Sequence, residues 1–180
     1  MKRIVLIYGC IAGLIMGGMF FISMPMMMNG NMNNGQLIGY ATMVIALSTI
    51  FIGTKTYRDR VLGGTIKFGR AFLVGLYISL VASFLYATGW EIFLASQKMS
   101  GTDFMDFYVK CQVDQLEKSG ASAEKIARVK TQAGAVYGWY NNLPLRFLFT
   151  MLAESLPVGL IVSLISAAIL KRKTPKTLGA

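Results

Sequence analysis

Histidine is missing from all 180 residues of this chain. Ser-His and Cys-His nucleophile systems, His-bound zinc and haem held by His are therefore beyond this polypeptide on its own. Cysteine is nearly missing too: Cys10 and Cys111 are far apart and form no Cys-x-x-Cys pair, so a disulfide-exchange enzyme is not expected. Charged residues make up only 14% of the chain, and acids are the scarcer kind, with 8 Asp and Glu against 18 Lys and Arg, a net charge of +10. A nucleic-acid binder would spread such charge as a stripe on a soluble face. Here the cations sit beside apolar runs, so no nucleic-acid partner is expected. Hydrophobic residues, by contrast, are abundant at 54%, more than the surface of a soluble single domain readily carries.

A hydrocarbon core about 30 Å thick is crossed by about 20 apolar residues in helix, at about 1.5 Å of rise each. Four stretches meet that length: 4–24, 37–54, 71–94 and 145–170. Within them the ionisable acids and bases are Glu91, Arg146 and Glu154. A bilayer offers no water to an open strand, so each stretch is expected to be helical. The predicted fold is all-α, a single membrane domain (1–180) built as a polytopic four-transmembrane-helix bundle. The first stretch is read as a retained helix, because it runs on without an Ala-x-Ala-like cleavage site.

Short basic loops stay on the cytoplasmic side. Lys2, Arg3, Lys55, Arg58, Arg60, Lys67, Arg70, Lys171, Arg172, Lys173 and Lys176 fall on one side, opposed only by Asp59. The other side has an uncharged link, 25–36, and a long segment, 95–144, whose six cations nearly balance five acids. Both termini are thus expected in the cytoplasm, with anionic lipid headgroups as partners of the basic side. Tyr86, Trp90, Tyr137, Trp139 and Tyr140 gather near the predicted outer boundary, and Tyr57, Phe68 and Phe72 near the inner one, as amphipathic rings prefer.

Lipid is as apolar as Leu, so helices in it associate through close backbone approach at small residues spaced by four. Gly9, Gly13 and Gly17 form such a ridge in the first stretch, Gly75, Ser79, Ser83 and Ala87 in the third, and Ser155, Gly159, Ser163 and Ala167 in the fourth. The first ridge is expected to pack within the chain, a second copy being the alternative. The segment 100–142 reads as an external amphipathic helical hairpin. Phe104, Tyr108, Cys111 and Gln115 face one way in its first helix, with Thr102 as cap and Asp106 pairing Lys110. Gly120 is a stop, Ser122 a new cap, and Ile126, Val129, Ala133, Val136 and Tyr140 line the second helix. "NNLP", Asn141 to Pro144, is the break before the last span.

The stretch "IFIGTKTYRD", Ile50 to Asp59, followed by "GGTIKFGRAF", Gly63 to Phe72, resembles the signature of a bacterial membrane family called domain of unknown function 4199 (DUF4199). "SLVASFLYATGWEIF" and "AESLPVGLIVSLISAAILKRK" are similar as well. The resemblance implies a four-pass protein of the inner (cytoplasmic) membrane without an established activity, and offers no catalytic residue. Its loop residues are Tyr57, Arg58, Asp59, Gly63 and Gly64, for which a tight turn with topology-setting charge is the expected role.

Glu154, three residues before Pro157, is the principal intramembrane candidate: a proton or cation carrier, or a polar lock to a hydroxyl on another helix. Glu91 lies on the third ridge and can pair with Arg146. Met24, Met28 and Met32, in the methionine-rich stretch 23–35, would suit Cu(I), though Met is also an ordinary apolar residue at interfaces. No cofactor is expected. The composition favours a non-catalytic accessory or scaffold protein with a membrane-protein partner or homo-oligomer, the alternative being a small ion-coupled transporter or channel component using Glu154.

Overall fold

The computed structural model describes residues 1–28 and 32–172, with the side chains of residues 32–34 and 36 excepted. The described residues form an all-helical chain: α1 (Lys2–Met28), α2 (Met32–Val61), α3 (Phe68–Ser96), α4 (Gly101–Lys118), α5 (Ala123–Tyr140), α6 (Leu143–Phe149), a π-helical turn (Thr150–Ser155) and α7 (Leu156–Leu170). Four helical stretches are long and apolar enough to cross a membrane: Lys2–Met28, Leu37–Val61, Phe68–Ser96 and Leu143–Leu170. Their outward faces carry large apolar side chains, among them Leu14, Val44, Ile45, Phe84, Ile161 and Ile169, while Ser79, Ser83, Ser155 and Ser163 are fully buried. Polar inside and apolar outside is the arrangement that suits lipid as solvent. The chain is a multi-pass membrane protein.

Three spans are longer than their hydropathy indicates. α1 runs through Pro25 to Met28 instead of ending at Met24. α2 continues through Lys55, Arg58 and Arg60 to Val61, so most of the basic stretch is helix and not loop. α3 starts at Phe68, leaving only residues 62–67 as connection. Lys and Arg are good helix formers, and hydropathy senses where lipid ends, not where helix ends.

The third span is the hub. Its Val81, Leu85 and Gly89 receive the glycine ridge of α1: a Cβ on Gly9 would stand 2.6 Å from Val81 Cβ, and one on Gly13 2.5 Å from Leu85 Cβ. At Gly17 and Gly89 the two backbones meet, since a Cβ on Gly89 would lie 2.6 Å from Gly17 Cα. The α1 ridge therefore packs within the chain. The other small-residue face of α3 meets α7, where Ser79 Oγ and Ser163 Oγ are 3.2 Å apart and Ser83 donates to Ser155 Oγ at 3.0 Å. Gly75 and Gly159 allow that approach, because a Cβ on either would come within 3 Å of Ser163 or Ser79. α2 closes the bundle with Ala46, Leu47 and Ile50, all fully buried.

Between the third and fourth spans, α4 and α5 pack side by side, joining through Met105, Ala133 and Tyr140. Their ends carry explicit stop and start devices. α3 ends in a Schellman motif: Met99 N–H donates to Leu94 O at 3.0 Å, Lys98 N–H to Ala95 O at 3.1 Å, and Lys98 takes a φ of 54°. α4 ends the same way at Gly120, with a φ of 69°. Ser100, not Thr102, caps α4, in a capping box with Asp103. Ser122 caps α5 and Asn142 caps α6. Asp106 accepts a hydrogen bond from Tyr137 across the helix pair and forms no ion pair with Lys110. The buried stripe of α4 is Gly101, Met105 and Val113, rotated from the expected Phe104, Tyr108, Cys111 and Gln115, which are half-buried. Phe104 nevertheless joins the helix pair to the bundle, with its ring 4.6 Å from Trp90.

Candidate functional site

One end of the bundle is held by Arg146, in the first turn of the fourth span. Nε donates to Glu91 Oε1 at 2.9 Å and Nη2 to Oε2 at 2.6 Å, a fork-to-fork pair linking the third and fourth spans. Nη1 donates to the Tyr140 carbonyl at 2.9 Å, and the guanidinium lies 5.7 Å from the centre of the Tyr140 ring. A Cβ on Gly101 would come 2.5 Å from Arg146 Nη1 and 2.5 Å from Tyr140 O, so only glycine lets α4 begin there. Glu91 and Arg146 thus form a junction between the α4–α5 pair and the membrane spans.

The fourth span is interrupted beside that junction. Pro157 has no N–H for the Ala153 carbonyl, and Leu156 N–H instead donates five residues back to Met151 O, as a π turn requires. The extra residue directs Ser155 inward to Ser83 while Glu154 takes a hydrogen bond from Tyr86 Oη at 3.4 Å. Thr150 Oγ1, buried in the same turn, has no hydrogen-bond partner among the described residues.

Glu154 and Tyr86 lie on the wall of a cavity of about 620 Å3 between α1, α2, α3, the fourth span and the α4–α5 pair. Trp90, Phe104, Tyr108 and Tyr140 line one side and Tyr40 the mouth, where it is 69% exposed. Phe20 joins the aromatic wall, 4.9 Å from Tyr86 and 5.0 Å from Trp90. Burial pushes the Tyr140 hydroxyl above its ordinary range and the charge of Glu154 adds to it, opposed by the Trp90 indole and by Arg146. The indole N–H of Trp90 itself meets no acceptor in full hydrogen-bonding geometry among the described residues.

Met24 and Met27 also line this cavity, whereas Met28 is 39% exposed and the Met32 side chain lies outside the described residues. The Cu(I) trio expected from sequence therefore falls partly outside the described residues. Clusters of His, Cys, Asp and Glu able to hold a metal are not found among the described residues. Cys10 and Cys111 are unbridged and half-buried, and burial raises the Cys111 thiol above its ordinary range.

At the opposite, basic end, the loop residues named from the resemblance have structural work. Tyr57 is buried in the core. Arg58 turns inward, with Nε 2.6 Å from Asp59 Oδ1 and Nη1 3.5 Å from the Leu170 carbonyl that ends the fourth span. Gly63 and Gly64 have φ of 65° and 91°, left-handed conformations that reverse the chain. Ile66 then pairs with Arg172, whose N–H donates to Ile66 O at 3.0 Å. Lys67, Arg70, Lys171 and Arg172 surround a recess of about 820 Å3. Lys173 and Lys176 lie outside the described residues.

Sequence reasoning missed Tyr40, Phe104 and Tyr108 as lining residues of the cavity that Glu154 borders, because α2, α4 and the fourth span are distant in the chain and only tertiary packing brings them together. Gly89 was missed for the same reason, although its place one turn beyond Leu85 on a glycine-facing side could have flagged it. Comparisons with the curated proteins and with the solved structures returned no match. The model of one family, described as "Protein of unknown function (DUF4199)", matches residues 7–172, which is nearly the whole chain, and the chain belongs to that family.

Proposed function

We propose that this is a non-catalytic protein of the bacterial inner membrane that acts by association, as an accessory subunit or scaffold. Both termini lie in the cytoplasm, α4 and α5 sit on the external surface, and the partner is another membrane protein or a second copy. The observation that carries this reading is the Arg146 junction, which fixes the α4–α5 pair to the spans through Glu91 and the Tyr140 carbonyl. A fixed extramembrane surface is preorganised for docking, so little ordering entropy is lost when a partner binds. At the basic end, the recess formed by Lys67, Arg70, Lys171 and Arg172 suits anionic lipid headgroups. The absence of His removes the commonest acid-base and metal-ligating side chain.

Crosslinking after mild-detergent extraction tests association: a defined partner or oligomer is expected, and a strictly solitary monomer under several conditions would reject it. Orientation is tested separately with a membrane-impermeant thiol reagent on a variant lacking Cys10 and Cys111. A Cys replacing Lys118 should react in intact cells and one replacing Lys55 only after lysis.

The π turn favours a second reading, ion-coupled transport through Glu154, since π turns concentrate at functional sites and this one sets a carboxylate in a cavity wall. Vesicles containing wild type should then pass protons or cations and Glu154→Gln should not; equal flux from both removes the residue from any such mechanism.

A further inference from the structure

We infer that the cavity around Glu154 is a binding site for a lipophilic organic monocation, such as a quaternary ammonium or phosphonium group with apolar substituents. Its volume, about 620 Å3, lies within the range of about 300–1,000 Å3 usual for small-molecule sites. Charge selects the ligand. Glu154 is the one formal charge among the lining residues, and neither Lys nor Arg lines the cavity among the described residues. Arg146 is the sole basic residue of the fourth span, and it is already committed to Glu91. Among the described residues only Tyr86 hydrogen-bonds Glu154, and through a long bond. A carboxylate in such surroundings is stabilised by any cation that can enter.

The walls decide which cation. A hydrated metal ion gives up its water only for a set of ligand oxygens, six to eight in the case of Ca2+. This cavity presents a single carboxylate and a few hydroxyls, so such an ion would lose more than it gains. An organic cation is weakly hydrated, and the rings of Tyr86, Trp90, Phe104 and Tyr108 in the cavity wall offer cation–π attraction along with apolar contact. The Tyr140 ring already has Arg146 beside it and is discounted. Met16, Met24, Met27 and Met43 complete the wall with flexible, polarisable side chains that adapt to differing substituents. The mouth at Tyr40 is open, and the spans beside it face lipid, so an amphipathic cation can enter from the membrane.

This inference is independent of the accessory reading and shares with the transport reading only the residue Glu154. Binding without flux would keep it and reject transport.

The test is equilibrium binding to the purified full-length chain in nanodiscs, using tetraphenylphosphonium and its anionic isostere tetraphenylborate. Tetraphenylphosphonium should bind saturably at one site per chain, and tetraphenylborate should not. Glu154→Gln should weaken the cation at least tenfold, Glu154→Asp less, and Tyr40→Leu by about twofold to fivefold, the range expected when one exposed cation–π partner is lost. Tyr40 is exposed at the mouth, so its replacement leaves the packed bundle intact and keeps the test valid if the Glu154 variants fold poorly. Nanodiscs rich in phosphatidylethanolamine that displace the probe would make a lipid ammonium the natural source of the same chemistry. Failure of that lipid to compete would leave a freely diffusing cation. Equal binding of the two isosteres, unchanged binding by both Glu154→Gln and Tyr40→Leu, or binding of Cu(I) alone would overturn the inference.

Discussion

Replacing Arg146 with Met tests the junction that fixes α4 and α5 to the spans. The Glu91 side chain is 16% exposed and that of Arg146 8%, so neither is well hydrated once its partner is gone. Removing the cation abolishes two hydrogen bonds to Glu91 and one to the Tyr140 carbonyl and leaves a carboxylate stranded. Breaking a buried pair from one side costs about 3–5 kcal/mol, whereas replacing both members by uncharged groups is often close to neutral. Arg146→Met alone should therefore destabilise by about 3–5 kcal/mol, and Glu91→Gln with Arg146→Met by much less, a coupling of about 2–3 kcal/mol or more. Arg146→Lys should fall between, because an ammonium cannot reproduce the fork. Reversible unfolding in mixed micelles gives the energies. Maleimide labelling of half-buried Cys111 reports the α4–α5 pair locally, and its rate should rise in Arg146→Met and recover in the double variant. Additive losses, with coupling below about 0.5 kcal/mol, or an unchanged Cys111 rate would refute the reasoning.

Three other outcomes follow from local geometry. Gly89→Ala places a methyl 2.6 Å from Gly17 Cα and should cost about 1–3 kcal/mol, while Gly18→Ala, with nothing within 4 Å, should be neutral or better; micellar unfolding of both variants checks the contrast. Lys98→Gly relieves a left-handed side chain in the Schellman turn and should stabilise by about 0.5–1 kcal/mol, read as a shift in unfolding midpoint. The Ser100 hydroxyl and N–H hold the Asp103 carboxyl below its ordinary range, so its contribution to the α4 cap is present above the unfolded value of about 3.9 and is lost as pH falls through the lower folded value. Acid titration of Cys111 accessibility should show that loss in wild type and a smaller change in Asp103→Asn.

The four spans were legible because membrane crossing is a property of length and hydropathy, which apolar runs such as Leu145 to Leu170 display directly. The stop at Gly120 and the start at Ser122 were legible for a similar reason: left-handed φ and helix caps select residue types locally. Ser100 was missed as a cap because the deciding partner, Asp103, also had to be read as part of a box. Small-residue ridges showed that helices approach closely but not which ones meet, since Gly9 and Gly75 look alike in sequence yet touch different neighbours. The site was least legible. Glu154 stood out as an acid within an apolar run, but the rings around it come from helices distant in the chain.

The two-sided third span has a consequence for biogenesis. During synthesis α1, α2 and α3 emerge first, and the glycine ridge of α1 can already seat against Val81, Leu85 and Gly89. Ser79 and Ser83, on the opposite flank, must wait for Ser163 and Ser155, which are made only after the whole α4–α5 pair. The nascent protein thus passes through a stage in which a serine-lined furrow faces lipid, and the fourth span is the one that fills it.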